Sequence, residues 1–324
     1  MKVTVLGTGA YGLGLSNMLN KNNHDITLWT KFEEEKNMLE REHQVKTLPN
    51  INLPDNFKYS TNLEEAIKDS KLIIIAVPAG AVNDVSKELA KYYKKEQHIC
   101  IASKGIEQNT CLFVKDVLNK YIKTKNLAVV SGGTFAIDMF NDCPLGLALA
   151  TKNKETEIIV KKALQNSFLK LRTTNDIIGI EICGSIKNVI AIASGMLDGL
   201  GYPDSTSCMF ITESLHDIKN LIDALGGNKK TILTYAGFGD LLLTCTSIKS
   251  RNYTLGKMIG ERKPQKEIDN YINTTTIEGL YTLKSIYKLL RKKKVKMPII
   301  DLIYNIIFKE TDPCELATFL IKKK

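Results

Sequence analysis

Lys187 is the single cation in a long apolar stretch, "CGSIKNVIAIASGMLDG", where the next charge is Asp198, eleven positions on. An ammonium held among apolar groups loses hydration, so its neutral form is favoured and it becomes a usable general acid or base. The same side chain could instead pack its stem and extend its ammonium to water. Further along, "AGFGDLLLTCTSIKSRN" sets Asp240 and Thr244 four residues apart. On a helix both would lie on one face and address one site. Two glycines just before Asp240 also suit it to capping a helix N-terminus. Six residues past Thr244 comes Ser250-Arg251-Asn252. A guanidinium fork suits bidentate phosphate binding, with Ser and Asn as neutral donors beside it, although an exposed Arg is also an ordinary surface residue.

A second chemical signal opens the chain. "VTVLGTGAYGLGL" carries Gly7, Gly9 and Gly12 as G-x-G-x-x-G, directly after a strand-like run and directly before a helix-like one. In that context the first Gly permits a tight turn, the second lets a pyrophosphate approach the backbone, and the third lets helix pack on sheet. The anion then sits among free N–H groups at the positive end of the helix. Lys2 and the uncharged stretch after it mimic a secretory leader, but the glycines and the following Asn17, Asn20, Lys21, Asn22 and Asn23 argue for a piece of the folded protein. The expected ligand is NAD or NADP. Where an NAD site usually carries a carboxylate, at the end of the second strand, "LWTKFEEEK" puts Thr30, Lys31 and Phe32, with Glu33 to Glu35 slightly later. Lys31 could meet a 2′-phosphate or simply be solvated, and Glu33 could still reach a ribose hydroxyl.

These residues need a frame to hold them. Short runs dense in Val, Ile and Leu at 2–7, 25–29, 71–78, 98–103, 127–132 and 145–151 lack polar alternation, as strands covered on both faces do. Helix-like segments at 62–70, 83–95 and 112–123 lie between them. The alternation predicts an α/β, doubly wound, Rossmann-type and mostly parallel sheet. After Ile177 the apolar spacing becomes three and four, which predicts an all-helical C-terminal domain. The expected division is a dinucleotide-binding domain over 1–178 and a helical substrate and catalytic domain over 179–324.

Composition narrows the function. The longest apolar run, Leu72 to Val82, is too short for a membrane span and contains a Pro. Seven Cys without a CxxC pair, and His at 24, 43, 98 and 216 without ligand spacing, imply reduced thiols, a cytoplasmic protein and no metal. The net charge of +10 is spread along the chain, with clusters only at 291–296 and in the terminal Lys triplet. That distribution reads as a solvated surface rather than a nucleic-acid patch. Buried apolar helices in the second half would suit a homodimer.

Taken together, "GTGAYG", "AVP", "ASKGIE", "SGGTFA", "GSIKNVIAIASGMLDGLG", "GFGDLLLTCTS", "SRN" and "IEG", in this order, resemble the bacterial NAD(P)-dependent sn-glycerol-3-phosphate dehydrogenase family over essentially the whole chain. The resemblance implies reversible hydride transfer between dihydroxyacetone phosphate and sn-glycerol 3-phosphate, for glycerophospholipid synthesis. It implies Lys187 as general acid/base, with Asp240 orienting it. Lys104, Gly132, Thr134, Asn188, Thr244, Ser250, Arg251 and Asn252 are carried over as substrate contacts. Gly7, Gly9, Ala10, Tyr11, Gly12, Lys31, Lys104, Ala136, Arg251 and Glu278 are carried over as cofactor contacts. Two positions depart from the family: Gly133 stands where Pro is usual, and Ala10 where Ser is frequent. A related β-hydroxyacid or ketopantoate-type dehydrogenase also places a glycine-rich domain before a helical one. A non-catalytic dinucleotide-binding redox sensor would have no use for Lys187 beside Asp240.

One prediction follows from "LWTKF". If Lys31 meets a 2′-phosphate, Lys31→Glu weakens NADPH use more than NADH use in steady-state kinetics. Parallel loss with both cofactors would remove that contact.

Overall fold

The computed structural model describes residues 1–322; Lys323 and Lys324, the end of the terminal lysine cluster, lie outside the described residues. Contacts divide the chain into two compact units. One comprises Met1–Lys104 with Phe113–Ile177, and the other comprises Gly105–Leu112 with everything from Ile178 onward.

The first unit is built on one eight-stranded sheet in the order β3-β2-β1-β4-β5-β6-β7-β8. Its strands are β1 (Lys2–Leu6), β2 (Asp25–Trp29), β3 (Lys58–Ser60), β4 (Leu72–Ile75), β5 (His98–Ile101), β6 (Leu127–Ser131), β7 (Leu145–Thr151) and β8 (Leu169–Thr174). All neighbours pair in parallel except β6 with β7. The sheet is thus doubly wound and mostly parallel, as the uninterrupted apolar runs predicted: β4 and β5 are buried at every residue. Strand order reverses between β1 and β4, and such a switch point leaves a crevice at the carboxyl ends of the strands.

Several boundaries differ from the sequence reading. β4 stops at Ile75, short of Pro78, a residue with no N–H for a ladder. β3 and β8 were not anticipated. β3 is only three residues long, and β8, "LKLRTT", alternates buried and exposed side chains because it lies at the sheet edge. The helix expected over 112–123 is confined to Val114–Asn119, and that over 62–70 to Leu63–Ile67. The eight residues Gly105–Leu112 group with the second unit, which their sequence does not betray. They close on themselves: Glu107 N–H donates to Leu112 O at 2.9 Å, and the Glu107 carboxylate accepts from the N–H groups of Asn109 and Thr110 at 3.0 and 2.8 Å.

The second unit is helical around Ile177–Gly199, a helix buried at every position from Gly179 to Leu197. By length and composition alone this is the one described helix that could cross a membrane, and its burial inside the protein marks it as a core helix. The sequence reading expected a helix here from "GSIKNVIAIASGMLDGL", and the helix begins earlier, at Ile177. The helix Arg251–Gly260 passes close against it. A Cβ added at Gly195 would lie 2.0 Å from Tyr253 O, and one at Gly199 2.2 Å from Lys257 O. From the other side, a Cβ on Gly256 would lie 1.8 Å from Ile192 O, and one on Gly260 2.2 Å from Met196 O. Four glycines, paired four residues apart on each helix, therefore bring backbone against backbone. The crossing is tied at its edge by the Lys257–Asp198 ion pair at 2.8 Å.

Any side chain at this crossing must push the helices apart. Gly256→Ala is expected to lose about 3 kcal/mol of stability by overpacking, measured by urea unfolding. A loss below about 0.5 kcal/mol, the usual range of surface substitutions, would mean that the crossing yields freely.

Candidate active site

In the first unit the functional candidates gather at the carboxyl ends of β1, β5 and β6. Gly7 leaves β1 with φ +115°, a region closed to side chains, and a Cβ there would lie 2.9 Å from Ala76 C and O. Gly12 passes so near that its Cβ would lie 2.3 Å from Gly7 O. Gly9, by contrast, faces open space. It precedes the helix Ala10–Lys21, whose first turn has no acidic residue and whose N-cap makes no side-chain hydrogen bond. Backbone N–H groups of a first helical turn have no partner within the helix. The turn is therefore a cradle of donors without a competing carboxylate, and it fits a dinucleotide pyrophosphate.

Beside this turn Lys104 Nζ donates to Gly132 O at 3.2 Å and lies 5.2 Å from the centre of the Tyr11 ring. Thr134 N–H also donates to Gly132 O, at 3.0 Å, while Thr134 Oγ1 is buried with no hydrogen-bond partner among the described residues. Ala136 begins a short 3₁₀ segment that packs on the same helix. Asn17 Nδ2 donates to Met139 O at 3.0 Å, and a Cβ on Gly14 would come within 2.8 Å of Met139 Sδ. Gly133, the departure from the family's Pro, is not among the glycines with positive φ. Lys104, Tyr11, Gly132, Thr134 and Ala136 are thus one neighbourhood.

Past β2, the Thr30 hydroxyl donates to the Glu35 carboxylate, and Thr61 Oγ1 donates to Glu33 Oε2 at 2.7 Å. That hydrogen bond, aided by Lys36, holds the Glu33 carboxyl below its usual range. Both carboxylates therefore have hydrogen-bond partners within the chain, although Glu33, like Lys31, is exposed.

In the second unit Lys187 lies mid-helix and is only 9 % exposed, and its ammonium is met by groups from another segment. Nζ donates to Asp240 Oδ1 at 2.5 Å and to Thr244 Oγ1 at 3.0 Å. Thr244 in turn donates to Asp240 O at 2.6 Å, the one-turn relation anticipated from their spacing. Asp240 does not cap its helix. A π-helical turn, Tyr235–Gly239, runs directly into Asp240–Cys245 and leaves the Asp240 side chain to face Lys187. Nor does Lys187 reach outward to solvent. Adjacent Cys245 is fully buried, and desolvation pushes its thiol pKa up, so it stays protonated.

Asn188 Nδ2 donates to Glu278 Oε2 at 3.2 Å, and Gly279 N–H donates to Asn252 Oδ1 at 2.9 Å. Two hydrogen-bonded sets, Lys187 with Asp240 and Thr244, and Asn188 with Glu278 beside Gly279 with Asn252, thus meet through the adjacent residues Lys187 and Asn188. Ser250 also has a structural role, beside its expected one next to the phosphate grip. Its Oγ accepts from Tyr253 N–H at 3.3 Å and caps the helix Arg251–Gly260. Arg251 is exposed, with its backbone carbonyl accepting from Tyr271 OH at 3.3 Å. The sequence reading missed the glycine crossing and Gly279. The first was findable from the four-residue spacing of Gly195/Gly199 and Gly256/Gly260. Among the described residues no group of three His, Cys, Asp or Glu could hold a metal ion.

Comparison with known proteins bears directly on these groups. Residues 2–157 match the family model of the NAD-dependent glycerol-3-phosphate dehydrogenase N-terminus, and residues 176–318 that of its C-terminus. The chain is 35% identical over 324 residues to a glycerol-3-phosphate dehydrogenase [NAD(P)+] of Fusobacterium nucleatum, covering 99% of this chain and 96% of that protein. It is 33% identical over 321 residues to the Agathobacter rectalis protein of the same name, covering 99% and 95%. The crystal structure of a glycerol-3-phosphate dehydrogenase from Coxiella burnetii superposes with a TM-score of 0.93 at 27% identity, covering 99% of both chains.

Removing the carboxylate charge opposite a buried ammonium leaves that ammonium without electrostatic compensation. Asp240→Asn is expected to cost about 3–5 kcal/mol of stability. The double change Lys187→Met with Asp240→Leu should cost less than Asp240→Asn alone. Denaturant titration decides; a double variant that is less stable than Asp240→Asn would mean the pair is not buried as described.

Proposed function

Because the chain belongs to the NAD-dependent glycerol-3-phosphate dehydrogenase family, we propose that it interconverts dihydroxyacetone phosphate and sn-glycerol 3-phosphate with NAD(H) or NADP(H). The observation that carries this reading is the buried Lys187 ammonium held by Asp240 and Thr244. When bound, the dinucleotide supplies or accepts the hydride. The protein's own part is proton transfer and grip. As the carbonyl carbon is reduced, its oxygen takes on alkoxide character, and Lys187 Nζ gives that oxygen a proton. In the reverse direction Nζ takes the proton back. Asp240 and Thr244 fix the direction of its N–H bonds, so little reorganisation is needed as charge develops.

Arg251 and Asn252, with Ser250 beside them, bind the substrate phosphate. Binding energy from that remote group orients the reacting carbon. Lys104, Gly132, Thr134 and Asn188 complete the substrate contacts. Gly7, Gly9, Ala10, Tyr11, Gly12, Lys31, Lys104, Ala136, Arg251 and Glu278 hold the cofactor. Residues 1–178 serve as the dinucleotide-binding part and 179–324 as the substrate and catalytic part. The product would supply glycerophospholipid headgroup synthesis in the cytoplasm, and the enzyme would act as a homodimer.

Paired assays with NADH and NADPH, following loss of reduced-nicotinamide absorbance on addition of dihydroxyacetone phosphate, test the activity. Turnover with at least one cofactor is expected; none with either would leave a non-catalytic dinucleotide-binding protein. Lys187→Ala should lower kcat by at least about 100-fold while cofactor still binds. Near-normal turnover would move the proton donor elsewhere.

A further inference from the structure

We infer that Gly279 is a positioning residue for substrate binding, acting through the side-chain amide of Asn252; the inference rests on the activity proposed above. Gly279 is the second residue of the helix Glu278–Lys293, within the turn whose N–H groups have no partner inside the helix. The N-cap residue, Ile277, has no side-chain oxygen to offer. The acceptor comes instead from another helix. Asn252, 27 residues earlier in sequence, places Oδ1 2.9 Å from Gly279 N.

This contact decides which end of the amide is available. A backbone N–H can only donate, so the atom it meets must be the carbonyl oxygen of Asn252. The amide NH₂ is then the end left for a substrate, and two N–H donors suit a phosphate oxygen. With the amide reversed, Asn252 would turn its oxygen toward the anion.

The contact also requires glycine. A Cβ at position 279 would lie 2.6 Å from Asn252 Oδ1, 2.7 Å from Asn188 O and 2.9 Å from Ile192 Cδ1. The φ of Gly279 is not in the left-handed region, so the demand is for space and not for an unusual backbone. A methyl group there pushes directly on the Asn252 amide oxygen. It also pushes on the backbone of Asn188, the residue after Lys187; the Asn188 side-chain amide donates to Glu278. Nothing in the chemistry of glycine touches a substrate. Its effect must pass through these neighbours.

The experiment measures KM and kcat of full-length Gly279→Ala with dihydroxyacetone phosphate, together with the Kd for sn-glycerol 3-phosphate without turnover. KM and Kd should rise at least about 10-fold, with kcat falling less, since the lost contact grips the substrate remote from the reacting carbon. In an Asn252→Ala background the same Gly279→Ala change should add less than about 3-fold, because the two act as one unit. An unchanged KM, or effects that multiply, would overturn the inference. Should Gly279→Ala fail to fold, Asn252→Asp replaces it: it keeps the acceptor for Gly279 N–H, adds no atom, and turns a carboxylate toward the phosphate. Asn252→Asp is expected to retain its Tm and lose substrate binding by about 100-fold or more; substrate binding as tight as in the unaltered protein would overturn the inference. Absence of turnover in the unaltered protein would overturn the activity itself, whereas normal turnover with an indifferent Gly279→Ala removes only the role of Gly279.

Discussion

A charged ammonium in the middle of a buried helix is costly unless an acceptor reaches it, and the second unit is organised around that constraint. Lys187 stands on Ile177–Gly199 with buried residues on either side of it. Its hydrogen bonds come from Asp240 and Thr244, successive turns of a short helix that a π-helical turn delivers. The pair is worth little as a device for stability, because desolvation offsets most of its attraction. On the proposed function its value lies in chemistry. A buried, oriented N–H donor can protonate a developing alkoxide without rearranging solvent.

Holding the other residues proposed to meet substrate near that donor is a problem of distance. Arg251 and Asn252 start a helix that must come close to Asn188 on the long helix. Ordinary side chains hold helix axes about 8–10 Å apart. The glycines at 195, 199, 256 and 260 remove the side chains from that crossing, so backbone atoms meet directly. Asn252 is thereby brought near enough to cap the helix that begins at Glu278, and Asn188 near enough to bond Glu278 itself.

The first unit meets a different demand, that of presenting backbone donors. Parallel strands place their carboxyl ends on one edge of the sheet, so the loops after β1, β5 and β6 share a neighbourhood although far apart in sequence. Gly7, Lys104 and Gly132 each follow one of these strands closely. Lys104 binds the Gly132 carbonyl and lies over the Tyr11 ring. One sheet edge thus assembles the phosphate turn, a cation and an aromatic ring.

Local patterns in the chain were sufficient for the parallel sheet, the glycine turn and the change to helices after Ile177, because each arises from near neighbours: apolar runs, turn chemistry and periodicity. The one-turn relation of Asp240 and Thr244 was legible for the same reason. The motif resemblance identified the family, but not how its residues meet. Whether Lys187 reached water or a carboxylate, and whether Asp240 capped its helix, depended on segments more than 50 residues apart. The edge strand β8, the allegiance of Gly105–Leu112 and the cap that Asn252 lends to Gly279 were likewise decided by tertiary packing. A hydrogen bond between distant segments has no signature in the spacing of either one; only the folded chain, by bringing donor and acceptor within 3 Å and excluding water, chooses between partners that the sequence leaves equally open.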